Sequence, residues 1–338
     1  MVGAGRVARL LEPSPPAVNS APWFADDPAH ISDIAGVDAL AGTDVSDDVA
    51  VVSVTSAGSL RWADLAESDE TIAAYCTPRW LANHKTLQKV PTHYPTRRDD
   101  LHRLAYGVIS NARKAANGKF GLRWTLGGFG TPFFGADTQV RVQGGWLVLQ
   151  SGQDTKAEPI SSLAAAAEFL KTSVNAEQAE HDTVALGDLN RPLTIDEELV
   201  SFISDWFGMA TFALEELRCT TRSASSAGAG VSSSQPSRVQ LWPGHFDVAV
   251  EMGDATAQPV TRATFGASTG DAAHPEPYLY VGPWRPYQPN EAFWNDPCWN
   301  DTAFNGASLP YSEIVGRANP CSIALDFYQH ALGRIIGN

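Results

Sequence analysis

Cysteine is scarce in this chain. Cys76, Cys219, Cys298 and Cys321 are spread over 338 residues, and no Cys-x-x-Cys pair occurs. That spacing excludes a zinc ribbon and a dense disulfide scaffold. It leaves free, buried thiols in a reducing compartment as the expectation. Basic residues are also few: 24 Lys and Arg face 38 Asp and Glu, for a net charge of −14. A field of that sign repels nucleic-acid phosphates and anionic membrane surfaces, so neither partner is expected. The only local basic cluster, Arg97-Arg98, is followed at once by Asp99-Asp100. No apolar run approaches the roughly 20 residues that span a bilayer. Arg6 and Arg9 are followed by Pro13, Pro15 and Pro16 with no apolar stretch between, which does not read as a secretory signal. The expected location is cytoplasmic. Without secretion, the sequon Asn300-Asp301-Thr302 has no consequence. Oligomeric state is not legible.

A hydrophobic content of 43% with 18% charged residues is enough for a proper core. Residues 1–47, rich in Ala, Asp, Pro and Ser, read as a disordered acidic N-terminal segment. The remainder, 48–338, reads as a single domain. Val49 to Thr55 is a β-branched run expected to form the first strand. Leu101, Leu104, Ala105, Val108 and Ile109 recur at helical spacing and predict a helix over Asp99 to Asn117. Phe120 to Leu126 and Gln139 to Gln150, with glycines between, predict a hairpin or meander. Ser161 or Ser162 caps an Ala-rich helix reaching about Val174. The longest helical pattern runs from Thr194 to Arg218, with an apolar stripe from Leu199 to Leu217. Residues 220–237 form a Ser/Ala/Gly tract expected to be a flexible loop. Strands follow over Val239 to Met252, Thr261 to Phe265 and Tyr278 to Val281, then a long Trp/Pro-rich loop. A last helix starts at Asn319-Pro320, a cap followed by Pro at the first helical position. Strands grouped apart from helices predict an α+β fold, a largely antiparallel sheet with helices packed on one face.

The densest chemical signal lies over 241–280. His245 and Asp247 stand two apart in a segment of strand character and are expected to share one face. Asp271, His274 and Glu276 follow the next strand. If the strands pair, His245, Asp247, Asp271, His274 and Glu276 could converge as nitrogen and oxygen ligands, with a divalent metal as the candidate cofactor. Without metal, His245, Asp247 and His274 are the candidate catalytic acid and base groups. The plain alternative is that Asp247 and Asp271 accept turn amides while the histidines cover the core edge.

Two motifs fail on context. Gly266-Ala-Ser-Thr-Gly270 fits Gly-x-Ser-x-Gly, but Pro275 and Pro277 forbid the helix a nucleophile elbow needs. Gly3-Ala-Gly5 has no strand before it and cannot cradle a dinucleotide. Ten tryptophans are many for this length. Trp242, Tyr278, Tyr280, Trp284 and Trp294 are the candidate ligand-lining aromatics, for a sugar or another flat polar molecule. The alternative is that these rings close the core.

Leu-Trp-Pro-Gly-His-Phe-Asp at 241–247, Phe-Gly-Ala-Ser-Thr-Gly-Asp-Ala-Ala-His-Pro-Glu-Pro-Tyr-Leu-Tyr at 265–280 and Gly-Ala-Ser-Leu-Pro-Tyr at 306–311 resemble an uncharacterised, mainly actinobacterial family, a domain of unknown function. The similarity covers about 238–335. It implies one integrated fold in a bacterial cytosolic setting, and no activity, cofactor or catalytic residue. The functional expectation is a small-molecule enzyme with a His/carboxylate pocket at 241–280. The alternative is a non-catalytic ligand-binding or protein-interaction module using the aromatic loop 278–311.

Overall fold

The computed structural model describes residues 87–338 except 126, 133, 135–137, 152–153, 181–182, 227–235, 238 and 338, together with the backbone of two short strands upstream. Those strands, β1 (Ala50–Val54) and β2 (Gly58–Arg61), form an antiparallel hairpin, the first of them where the β-branched run placed it. The segment 1–47 lies outside the described residues.

The chain then runs through α1 (Tyr94–Leu104), a π-helical turn (Ala105–Ile109) and α2 (Ser110–Asn117), which ends at Gly118 with φ 76°. The helix begins five residues before the expected Asp99, because Pro95 is tolerated in a first turn whose amides are free anyway. Five strands follow as a meander: β3 (Arg123–Thr125), β4 (Gly128–Gly130), β5 (Thr138–Gln143), β6 (Trp146–Ser151) and β7 (Asp154–Pro159). Every neighbouring pair is antiparallel. α3 (Leu163–Leu170) is capped by Ser162, whose hydroxyl accepts from the Ala165 amide at 3.1 Å. It stops at Leu170, where Lys171 adopts φ 54°.

α4 (Glu197–Ser226) is the axis of the core. Asp196 caps it by accepting the Leu199 amide at 3.0 Å. Leu199, Ile203, Trp206, Phe207, Ala210, Ala213, Leu214 and Leu217 are fully buried, each of the large ones contributing about 1.5–3 kcal/mol on leaving water. The helix continues eight residues past the expected Arg218 into the Ser/Ala tract. Ser and Ala tolerate helix, and composition alone cannot separate a helical tail from a linker. The rest of that expected loop, 227–235, lies outside the described residues.

A second antiparallel sheet has the order β12 (Ala307–Pro310), β11 (Tyr278–Pro283), β10 (Ala263–Ser268), β9 (Asp247–Met252), β8 (Gln240–Trp242). Leu122 and Leu241 exchange backbone hydrogen bonds of 2.8 and 3.0 Å, which join the two sheets edge to edge. α5 (Pro320–Ile336) closes the fold, and its Asn319 cap accepts the Ser322 amide as the sequence anticipated.

The pleat separates two faces. Trp124, Phe129, Val142, Val248, Val250 and Phe265 face the helices: the Trp124 indole donates to Ser204 of α4, Phe129 packs edge-on to Phe207, and Phe265 packs on Tyr328 of α5. The fold is therefore α+β. The opposite face carries Arg123, Thr125, Gln139 and Arg141 in the first sheet and Asp247, Ser268, Tyr278 and Tyr280 in the second.

Candidate functional site

The β8–β9 connection decides where the candidate groups go. Trp242 pairs with Asp247, so Pro243, Gly244, His245 and Phe246 form the turn rather than a continued strand. Phe246 takes φ 54° and is fully buried, stacked on His102 and edge-on to Phe129 and Phe207. Anchoring that ring in the core turns the neighbouring His245 out to solvent. The expected sharing of one strand face by His245 and Asp247 is therefore wrong: the period-2 rule stops at a left-handed residue. His245 still acts at a distance, since its charge favours the Asp247 carboxylate.

Asp247 opens β9 and is only 4% exposed. In register it lies beside Ser268 of β10. Gly266 lies between Ala249 and Tyr280 in the adjacent row. Because Gly266 has no side chain, the Tyr280 ring can cross β10, and its hydroxyl donates a hydrogen bond to Oδ2 of Asp247. A Cβ at Gly266 would stand 2.5 Å from that ring. The other oxygen, Oδ1, is buried and has no hydrogen-bond partner. Burial pushes the Asp247 carboxyl above its ordinary value, with the His245 charge and the Tyr280 hydroxyl opposing. Tyr280 is itself held neutral, first by burial and then by the Asp247 charge.

A second polar unit adjoins it along β11. The Tyr278 hydroxyl donates to Oδ2 of Asp271 at 2.6 Å. Oδ1 of Asp271 accepts the amides of Ala273 and His274 at 2.7 and 2.8 Å. Burial would raise the Asp271 carboxyl, but these bonds outweigh it and hold it below the ordinary range. The His274 ring lies over Tyr278 at 4.4 Å between centroids, with Nε2 2.9 Å from Oδ2 of Asp301 and Nδ1 3.4 Å from Oδ1 of Asp271. Tyr278 and Tyr280 are 6.1 Å apart and link the two units.

The expected five-ligand metal cluster does not form. Among the described residues no group of three or more His, Cys, Asp or Glu is placed to hold a metal ion. His245 is out in solvent, Glu276 is exposed, and Asp271 is committed to turn amides and Tyr278. Asp247 and His274 serve different hydrogen-bonded units. For Asp271 the plain alternative was the right one.

The aromatic candidates divide. Tyr278 and Tyr280 belong to the site. Trp242 packs near Phe120, in the connection between α2 and β3. Trp294 joins Phe293, Trp299 and Tyr287 in a cluster within the loop, its indole donating to the Pro286 carbonyl. Trp284 stands 47% exposed under Arg262, with its indole donating to Thr264.

Sequence reasoning missed Asp301, which lies far from His274 in sequence and whose sequon gives no hint of a histidine partner. It also missed Arg98, whose guanidinium pairs with Asp99 and reaches the Pro275 carbonyl at 3.4 Å beside Gly270. The adjacent acids suggested local cancellation for both arginines, yet Arg97 crosses to Asp196 and Glu198 at the start of α4.

Compared with protein families, curated proteins and solved structures, the chain matches none of them. Among the described residues no helix is long and apolar enough to cross a membrane.

Proposed function

We propose that the chain is a small-molecule enzyme in which Asp247 exchanges a proton with a bound polar ligand. The observation that carries this reading is the buried Oδ1 of Asp247, which lacks a partner. Leaving such an atom unpaired costs about 1–3 kcal/mol, more when it is charged, and strained polar groups of this kind gather where ligands bind. A carboxyl raised by burial works as general acid or base closer to neutral pH than an ordinary one. Tyr280 fixes its orientation, leaving Oδ1 for a hydroxyl or amine of the ligand. The His274–Asp301 pair, reached through Tyr278, offers a second polar contact. Membership of the uncharacterised actinobacterial family rests on its motifs alone, and a cytoplasmic location goes with it.

The test is a thermal-shift screen of small hydroxyl- and amine-bearing compounds on wild type and Asp247→Asn. Compounds that stabilise wild type should lose that effect in the variant, and any turnover found should fall by about 10²–10⁴-fold. Equal stabilisation of both proteins across the panel would remove Asp247 from the site.

A second reading, a binding module using the aromatic loop, is favoured by the exposure of Trp284 and Tyr287, at 47% and 53%. It predicts that Trp284→Ala abolishes capture of a sugar or partner while Asp247→Asn does not.

A further inference from the structure

The outer face of the first sheet carries a polar group that the Asp247 site does not use. Arg141, at the centre of β5, is 1% exposed. Arginine is almost never so deeply buried without a counter-charge. Here Nε donates to Gln143 Oε1 at 3.1 Å, and Nη1 donates to Oε1 of Gln139 and of Gln150 at 3.4 and 2.8 Å. All three acceptors are neutral amide oxygens. Among the described residues the guanidinium meets no carboxylate, and Nη2 meets no acceptor at all. The Gln139 carbonyl is aimed at Arg141 because its amide donates to the Thr131 carbonyl at 3.2 Å. Burial alone pushes the Arg141 guanidinium down to about 10, still charged at neutral pH.

An independent observation lies on the same face. Thr125 of β3 is fully buried, and its hydroxyl has no hydrogen-bond partner. In register Thr125 lies opposite Gly128, which lies opposite Gln143, while Gly130 lies between the buried Arg123 and Arg141. β4 therefore places no side chain between Thr125 and the Arg141–Gln143 pair. Glycine is required at both positions, because a Cβ would run into the Val142 and Val140 carbonyl oxygens of β5. A cation without a counter-charge and a hydroxyl without a partner thus flank a strand bare of side chains. Two N–H donors on one guanidinium nitrogen plus a hydroxyl match the acceptors of a carboxylate or phosphate group.

We propose that this face holds a second ligand site, distinct from Asp247, in which Arg141 and Thr125 bind a small oxyanion, the carboxylate or phosphate group of a metabolite. Arg141 supplies the charge, and the three glutamines hold its plane without neutralising it. Shielding from water strengthens the attraction and suits a single anionic group.

The experiment is a titration of the full chain with inorganic phosphate and, separately, acetate, followed by thermal shift and by isothermal calorimetry, with chloride at matched ionic strength as the control. Wild type should gain stability with rising phosphate or acetate beyond the chloride control, and the stronger of the two identifies the group. Arg141→Met should weaken the dissociation constant about tenfold or more, the loss of a charge-assisted hydrogen-bonded pair. Thr125→Val keeps shape and charge, covers the case in which the arginine variant does not fold, and should weaken binding several-fold. The proposal is overturned if neither oxyanion moves wild type beyond chloride, or if both variants that fold respond as wild type does.

Discussion

Asp247→Asn should make this protein more stable near neutral pH, the reverse of what most buried substitutions do. In the fold the carboxyl is buried, Tyr280 donates to one oxygen, and the other has no partner. Taking an ion out of water costs several kcal/mol; the solvent-screened His245 side chain and the Tyr280 hydroxyl, worth about 1.5–3 kcal/mol, offset part of it, and burial still wins. Asparagine keeps an oxygen for Tyr280, with a weaker, uncharged bond, and removes the charge. The net gain should be about 1–2 kcal/mol, or roughly 2–4 °C in Tm for a domain of this size. Its pH dependence is the sharper part. The folded carboxyl is raised above its unfolded value, so the folded state binds the proton more readily. Asp247 therefore costs nothing below the ordinary carboxylate range, and its cost grows as pH rises through the folded value. The advantage of the variant should be full near pH 8 and vanish by about pH 4. Calorimetric Tm values for both proteins across that range give the answer, and comparison at each pH cancels every other titrating group. A variant less stable by the same amount at all pH values would show Asp247 to be an ordinary structural acceptor. The functional reading would then lose its support.

Gly266→Ala should lower Tm and abolish any activity together, because the new methyl stands 2.5 Å from the Tyr280 ring and forces it off Asp247; overpacking of this kind costs about 1–3 kcal/mol, read by urea unfolding. His102 is pushed down to about 4 by burial, and its Nε2 donates to the Pro243 and Gly244 carbonyls. Its folded value is depressed, so wild type should lose about 3 kcal/mol as pH falls from about 6.5 to about 4, and His102→Gln should lack that loss in denaturant titrations. Gly128→Ala should fail to give soluble protein, since its Cβ would overlap the Val142 carbonyl oxygen and there is no flexible side chain to yield; a wild-type unfolding curve from that variant would refute the assigned register of β4 and β5.

The parts of the fold legible in sequence are those that report local periodicity. The stripe from Leu199 to Leu217 is buried as read, the Asn319-Pro320 start stands where its cap chemistry placed it, and alternation in Gln139 to Gln143 put Val140 and Val142 in the core. Legibility ended where a long-range contact overrode the local pattern. Nothing in Leu-Trp-Pro-Gly-His-Phe-Asp reveals that Phe246 will enter a left-handed conformation to stack on His102, 144 residues' distance being beyond any local rule. That one contact turned His245 outward, away from the other expected ligands.

The same kind of contact makes what remains. The Gly266-Ala-Ser-Thr-Gly270 stretch invites a nucleophile reading, yet its first glycine serves as a gap through which a tyrosine from β11 reaches an aspartate on β9. Gly128 and Gly130 play the parallel part in the first sheet, keeping β4 free of side chains between Thr125 and Arg141. In both halves glycines open the outer face of a middle strand, and a buried oxygen without a partner lies on a neighbouring strand: Oδ1 of Asp247 in one, Oγ1 of Thr125 in the other. Charge of opposite sign on the two halves of one joined sheet suits ligands of opposite character. Asp247→Asn should therefore leave oxyanion binding intact, and Arg141→Met should leave intact the stabilisation by hydroxyl and amine compounds. Loss of both responses in either single variant, measured on folded protein, would mean one shared site rather than two.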